Sequence, residues 1–364
     1  MILVYISETL LYLCFSLLIG SFIIQFIPEQ CKPKLVIPKR LIQLSILGIV
    51  IFSVASVLRI VLFLYEDIGL GTTLINVLGG FDVGMAWNIT VIIGVFFYFF
   101  VSVFPVLESK VLSGISLIFT LAFLLALGWA SHAASLTEWS GLVFHSLHFL
   151  AVIIWVGILL VVGWCSKSQE NWLSFLKWFT PLAIVCFITI SGTGFLLMTL
   201  VIDIREYADS WMVPYGQALL IKHLSIIPVL IFAFINGFWI RHKLKRREQI
   251  NPIPWLKFES VLLFFTFVST GILGQQEPPH SIEIMLASSG PSPVFSYFYS
   301  GTIDASMSFQ FGFNTINILF FIVATIFMVL SIYSFKKRTQ AVVPFFMGIF
   351  CIISLYFGLI SSVI

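Results

Sequence analysis

The sequence has little charge and few cysteines. Charged side chains account for only 10% of its 364 residues, whereas an ordinary soluble domain carries about 25%. The five cysteines, which are Cys14, Cys31, Cys165, Cys186 and Cys351, show no C-x-x-C spacing. The low charge excludes an ordinary soluble domain. The cysteine spacing gives no sign of a disulfide framework.

The chain also lacks the motifs of ATP-driven transport. It contains no nucleotide-binding motif and no P-type phosphorylation sequence, and we predict that it is not an enzyme. Its net charge of +3 comes from basic residues in short loops, so we predict no nucleic-acid partner. Residues 1–27 lack a basic n-region and an A-x-A cleavage site, which predicts a retained membrane span instead of a cleaved signal.

Apolar sequence fills most of the chain. Apolar residues make up 60% of it, in repeated runs that are long enough to cross a bilayer as helices. The predicted fold class is therefore all-α, a polytopic membrane helix bundle of about ten transmembrane helices with the lipid bilayer as its partner. The apolar segments lie at about residues 2–27, 41–64, 87–106, 111–132, 140–165, 173–201, 215–240, 258–275, 312–335 and 341–363.

The basic residues predict the orientation of these segments. If the N-terminus lies outside, most of the 19 Lys and Arg residues fall in connections on the inner side, and the outward connections carry mainly Asp and Glu. Inner loops of membrane proteins are enriched in Lys and Arg. With an even number of spans, both termini are predicted to lie outside.

One long connection divides the predicted helices. Residues 276–311 are rich in Ser, Gly and Pro and contain too few consecutive apolar residues to span a membrane. We predict an external loop there, since loops of this length are often functional. The predicted domains are an eight-helix membrane core at 1–275, this loop at 276–311, and a two-helix membrane hairpin at 312–364.

Three of the six histidines lie close together, between residues 128 and 160. His132 ends the fourth apolar segment at the predicted outer face, and His145 and His148 lie in the first turns of the fifth. Residues three apart share a helix face, and neutral imidazole is a good ligand for copper, zinc and iron. Packing or hydrogen bonding inside the bundle is the alternative. Polar groups at this depth are costly and usually functional, which favours a metal entry site.

Two methionines near the same predicted face are candidate soft ligands. Met198 lies near the outer end of the sixth segment, and Met212 follows in the next outer connection. Thioethers suit Cu(I) but not zinc. The alternative for each methionine is ordinary core packing.

Several other polar residues fall within apolar segments. Lys222 and Arg59 lie towards the outer face, and snorkelling or ion pairing explains them equally well. Glu8 lies at a similar depth and could pair with either. His223 follows Lys222 but points about 100° away around the helix. Glu259 begins the eighth segment at the inner face.

Four short motifs follow one another along residues 1–280. They are G-x-x-x-H-A at 128–133, H-x-x-x-x-x-x-W-x-G at 148–157, Y-G-x-x-L-x-x-K at 215–222 ahead of Asn236, and Glu259 followed by Pro278-Pro279. In this order and spacing they resemble the copper resistance D (CopD) family of bacterial inner-membrane proteins. The first motif is a loose match, and no soluble copper-binding domain is fused to the chain.

The resemblance implies copper handling between the outer surface and the cytoplasm, with a soluble CopC-like copper-binding protein as a possible partner. We predict copper transport across the bacterial cytoplasmic membrane by uptake, with His132, His145, His148, Met198 and Met212 as candidate ligands for Cu(I) or Cu(II). One alternative is a haem b-binding electron carrier, whose axial ligands would come from His132, His145, His148 and His223, with His148 and His223 as a pair on different helices. Another is a copper-sensing or assembly protein that transports nothing.

Overall fold

The structure is a computed structural model, and it describes residues 2–131, 134, 137, 139–279, 281–299, 301, 303 and 308–363. Within these residues, ten helices are long and apolar enough to cross a membrane. They are α1 (Ile2–Phe26), α2 (Lys39–Ile68), α3 (Asp82–Val103), α4 (Lys110–Trp129), α5 (Trp139–Cys165), α6 (Trp172–Thr199), α7 (Pro214–Lys245), α8 (Ile253–Leu273), α9 (Thr315–Lys336) and α10 (Val342–Ile360). The predicted all-α architecture with ten membrane helices is confirmed, and the orientation of the termini stays a prediction.

The structure differs from the predicted segments in one additional helix and in the start of α8. Both differences arise from local features that the apolar pattern does not contain. An additional helix, Leu70–Gly80, lies in the connection between α2 and α3 and starts after Gly69, whose φ is +82°. α8 begins at Ile253, where the side chain of Asn251 accepts a hydrogen bond from the backbone N–H of Ile253 at 3.1 Å. Its first turns carry Lys257 and Glu259, and these charges hid the helix start in the sequence.

The segment predicted as an external loop contains two short helices, Ile282–Ser289 and Pro293–Phe298. The Ser281 side chain caps the first by accepting a hydrogen bond from the backbone N–H of Ile284 at 3.3 Å. Gly290, with a φ of +74°, ends it. Glycine adopts this conformation without the strain that a Cβ would introduce.

Contacts between Cα atoms divide the chain into two compact units. The first unit is Met1–Leu197 with Arg241–Ile253, and the second is Met198–Ile240 with Pro254–Ile364. The predicted domain boundaries at 1–275, 276–311 and 312–364 stay a prediction.

The core of the first unit lies among α1 to α5. Phe15, Ile46, Phe97, Phe123 and Ile153 come from these five helices in order and are all fully or almost fully buried. The Phe15 ring packs edge-on against Phe123, with 6.3 Å between the ring centroids. This core holds α5, the helix that carries two of the predicted histidine ligands.

A pair of glycines brings α1 and α5 into backbone contact. A Cβ added at Gly20 would overlap the backbone of Gly157, and a Cβ added at Gly157 would overlap the backbone oxygen of Ser16. Small residues allow membrane helices to approach this closely. Gly157 therefore has a packing role that its motif alone did not reveal.

In the second unit, one polar contact connects α7 with α10, and another connects the residues before α7 with the segment before α9. The Tyr356 hydroxyl donates a hydrogen bond to Oε1 of Gln217 at 2.7 Å, and both side chains are buried. The Asp209 carboxylate accepts the backbone N–H of Phe309 at 2.6 Å. The contact with Phe309 holds part of the 276–311 segment against the residues that precede α7.

Candidate functional site

His148 lies on α5 and contacts α6. Its Nδ1 atom is 3.1 Å from the hydroxyl oxygen of Thr193. The Thr193 hydroxyl in turn lies 2.6 Å from the backbone oxygen of Thr189, one turn earlier on α6. His148 is half-buried and Thr193 is buried.

These two distances favour one tautomer of His148. The Thr193 hydroxyl has one proton, and the shorter distance favours its donation to the Thr189 oxygen. Thr193 then accepts from His148, an arrangement with the ring proton on Nδ1 and the lone pair on Nε2. A metal-binding histidine commonly has this arrangement, with its other nitrogen donating to a protein oxygen.

A glycine next to Thr193 makes room for this contact. A Cβ added at Gly194 would lie 3.1 Å from Cε1 of His148 and 3.4 Å from its Nδ1. A larger residue there would push α6 away from the imidazole. Thr193 and Gly194 thus form the surface of α6 on which the His148 ring lies, and neither residue was singled out from the sequence.

His145 lies one turn before His148 on α5. Its side chain is half-buried, with the Nδ1 atom itself buried. Its ring stacks on Phe149, with 6.4 Å between the ring centroids and an angle of 27° between the planes. His145 and His148 therefore lie on one stretch of α5, as their spacing predicts, and His132 lies outside the described residues.

The two predicted methionine ligands lie in apolar surroundings. Met212 is fully buried in the core of the second unit, in a cluster with Phe295 and Phe309. Met198 is half-buried and packs against the apolar cluster around Ile202 and Leu219. Both positions agree with ordinary core packing, and the predicted ligand set stays a prediction.

The part of the chain that the structure describes contains no group of three or more His, Cys, Asp or Glu residues that could hold a metal ion. A site built on His145 and His148 therefore needs a further ligand. His132 is the predicted one.

His223 lies on α7 and contacts Tyr207. The Tyr207 hydroxyl lies 2.7 Å from Nδ1 of His223, and burial raises the pKa of Tyr207, so the phenol keeps its proton. Either group can be the donor in this contact, because its direction depends on the tautomer of His223.

A second polar group lies between α7 and α8. Nδ2 of Asn236 donates to Oε2 of Glu259 at 2.6 Å, and both side chains are buried. Asn236 belongs to a π-helical stretch of α7, Ile235–Ile240. Such stretches occur frequently at functional sites.

Comparison with known proteins adds one relationship. No curated protein and no solved structure matches the chain significantly. One family model does match the chain, over α6 to α8. The matched part includes Lys222, Asn236 and Glu259, whereas His132, His145 and His148 precede it. Residues 173–273 match the family model described as copper resistance protein D (CopD), and this match confirms the resemblance of the chain to the copper resistance D family.

Proposed function

We propose that this chain is a copper transporter of the bacterial cytoplasmic membrane, which takes up copper through His132, His145 and His148. The family match supports copper handling in a membrane. The contact that carries the assignment of the site is the one between His148 and Thr193, because it presents Nε2 as a ligand. Copper is the cargo of this site.

The donor chemistry of the site suits copper in transit. Imidazole binds both Cu(I) and Cu(II), whereas a thioether favours Cu(I). Met198 and Met212 are therefore the candidate ligands if the ion crosses in its reduced state. The chain needs no catalytic residues for this role, and a soluble CopC-like protein would deliver copper at the outer face.

Removing the Thr193 hydroxyl is expected to weaken copper binding. In Thr193→Val the ring proton of His148 loses its acceptor, so the tautomer with Nε2 as a ligand is no longer favoured. Loss of such a supporting hydrogen bond typically costs about 10- to 100-fold in metal affinity. Competition titration of the purified protein with a copper chelator measures this change.

The matched control is Thr193→Ser, which retains the hydroxyl and should bind copper within about threefold of the wild type. Nitrogen-15 NMR of labelled histidine gives a second measurement, because it reports which ring nitrogen of His148 is protonated. Equal copper affinity in the valine variant, with Nδ1 still protonated, would refute the role of Thr193.

The purified protein is expected to show no haem absorption. A haem b carrier needs two histidines that face each other and ligate iron, and His145 and His148 lie on one helix, α5, instead of on two facing helices. An absorption spectrum of protein produced with ample haem supply tests this. A Soret band, with sharp α-bands in the reduced protein, would refute the transporter proposal and support the electron carrier.

Copper accumulation separates transport from sensing or assembly. A transporter changes the copper content of cells in proportion to its abundance. A sensor or assembly protein binds copper at the same histidines without moving it. Cells that produce the intact protein should therefore accumulate copper above the level of cells without it.

A further inference from the structure

We infer that Glu259 and Asn236 form a proton-binding site in the membrane, with Glu259 as the carrier of the proton and Asn236 as its positioning residue. The site lies between α7 and α8, within the second unit. Its existence does not depend on copper as the cargo, but its use in transport rests on the proposed function.

Burial is the first argument. Glu259 is 2% exposed and Asn236 is 4% exposed. An ionised carboxylate at such a position is costly unless a cation compensates its charge. Buried acidic residues in membrane helices are accordingly found in proton relays and ion pathways.

No basic side chain within the described residues forms an ion pair with Glu259. From residue 224 to residue 240, α7 carries no titratable side chain at all. On α8, Lys257 lies two residues before Glu259 and so points about 200° away around the helix. A protein cation therefore does not neutralise the carboxylate in this part of the molecule.

The titratable groups on the other neighbouring helices are directed elsewhere. Nζ of Lys336 on α9 lies 5.7 Å from the ring centroid of Trp239, and the Tyr333 ring on the same helix has Lys337 over it. On α10 the Tyr356 hydroxyl donates to Gln217, and Cys351 is a buried thiol.

The second argument is an acceptor that lacks a donor. Oδ1 of Asn236 is buried and has no hydrogen-bond partner among the described residues, although Nδ2 of the same amide donates to Glu259. Leaving a buried polar atom without a partner costs about 1–3 kcal/mol. A proton on Glu259 converts the carboxylate into a donor beside this amide. One proton therefore removes the buried charge and supplies the missing donor.

A proton suits these ligands better than a metal ion does. Hard cations such as Ca²⁺ take about six to eight oxygen ligands, whereas this site provides one carboxylate and one amide oxygen. One turn before Asn236 and Glu259 on their helices, Phe232 packs on Trp255 at 5.7 Å, and Trp255 packs on Phe335 at 4.9 Å. These rings supply none of the further oxygen ligands that such a cation needs.

The position of the site indicates which side supplies the proton. Glu259 lies six residues after the start of α8, or about 9 Å along the helix axis. Asn236 lies five residues before Arg241, the first residue of the basic stretch at the same end. In the predicted orientation this is the inner face, so the proton would exchange with the cytoplasm.

Infrared difference spectroscopy of the full chain in lipid vesicles tests the proton site through pH steps. The wild type should show a carboxylic-acid C=O band near neutral pH that is lost in Glu259→Gln. Glutamine is isosteric with glutamate and can pair with the Asn236 amide, so this variant should fold. Glu108→Gln, at an exposed connection, should leave the band in place.

Asn236→Val provides the second variant, because it keeps Glu259 and removes the amide. The band should persist and shift to higher frequency as the hydrogen bonds to the carboxyl group are lost. A wild-type spectrum without this band, or an identical band in Glu259→Gln, would show that Glu259 is not the proton carrier and would overturn the inference.

A transport measurement on the same vesicles separates this inference from the proposed function. Copper uptake driven by a proton gradient should fall to background in Glu259→Gln, whereas copper binding should stay at the wild-type level. Uptake that persists in this variant would refute coupling through Glu259. If the wild type takes up no copper but the infrared band behaves as expected, the proton site stands and the proposed function fails.

Discussion

Replacing His132, His145 and His148 together by alanine is expected to reduce copper accumulation to the level of cells that lack the protein. The variant removes all three imidazoles that the site offers to the ion. Loss of a hydrogen bond that merely supports a ligand typically costs about 10- to 100-fold in metal affinity, so loss of the ligands themselves should cost at least as much. Copper content per cell, at equal protein abundance, measures the effect.

The single variants rank the histidines. His148→Ala should have the larger effect, because the contact with Thr193 presents its Nε2 atom. His145→Ala should have a smaller one, since His145 is not part of the family-like motifs. His242→Ala is the matched control, because this histidine is exposed in the basic stretch at the end of α7. Undiminished accumulation in the triple variant would exclude transport through this site.

Gly157→Val is expected to destabilise the first unit. Its side chain would overlap the backbone oxygen of Ser16 on α1, and backbone atoms cannot move aside as a flexible side chain can. Overpacking typically costs about 1–3 kcal/mol of stability. Because the clash here is with backbone, we expect the free energy of unfolding to fall by about 3 kcal/mol. Denaturant titration of the purified protein in detergent micelles measures the free energy of unfolding.

Gly192→Ala is the matched control for this prediction. No heavy atom lies within 4 Å of a Cβ added at Gly192 on α6, and alanine favours the helix by about 1 kcal/mol relative to glycine. This variant should therefore be as stable as the wild type or slightly more so. A valine variant of Gly157 with unchanged stability would contradict the backbone contact between α1 and α5.

The ten membrane helices could be predicted because composition and segment length together determine them. A run of about 20 apolar residues has few stable alternatives to a spanning helix. Each of the ten predicted runs forms a helix that is long and apolar enough to span. The helix Leu70–Gly80 was not predicted, since it is shorter than a span and lies in a connection. The start of α8 was missed because Lys257 and Glu259 interrupt the apolar pattern.

Less of the candidate site was visible in the sequence. The shared helix of His145 and His148 follows from their spacing alone. The contact between His148 and Thr193 joins residues that are 45 positions apart, and no local pattern predicts which threonine on a neighbouring helix meets an imidazole. The same holds for Asn236 and Glu259, which are separated by 23 positions and by the loop between α7 and α8.

Met212 shows the limit of arguing from residue type. Its thioether is a good ligand for Cu(I), and its place in the sequence is close to the predicted outer face. In the structure it is fully buried in an apolar cluster. Methionine is also an ordinary core residue, and only the tertiary packing shows what surrounds it.

X-ray absorption at the copper edge of the purified, copper-loaded protein tests the central claim most directly. Imidazole rings that bind copper produce a characteristic outer-shell scattering pattern. The proposed site predicts this pattern in the wild type and its loss when His145 and His148 are both replaced by alanine. A spectrum that is the same in both proteins would show that copper binds elsewhere and would contradict the proposed site.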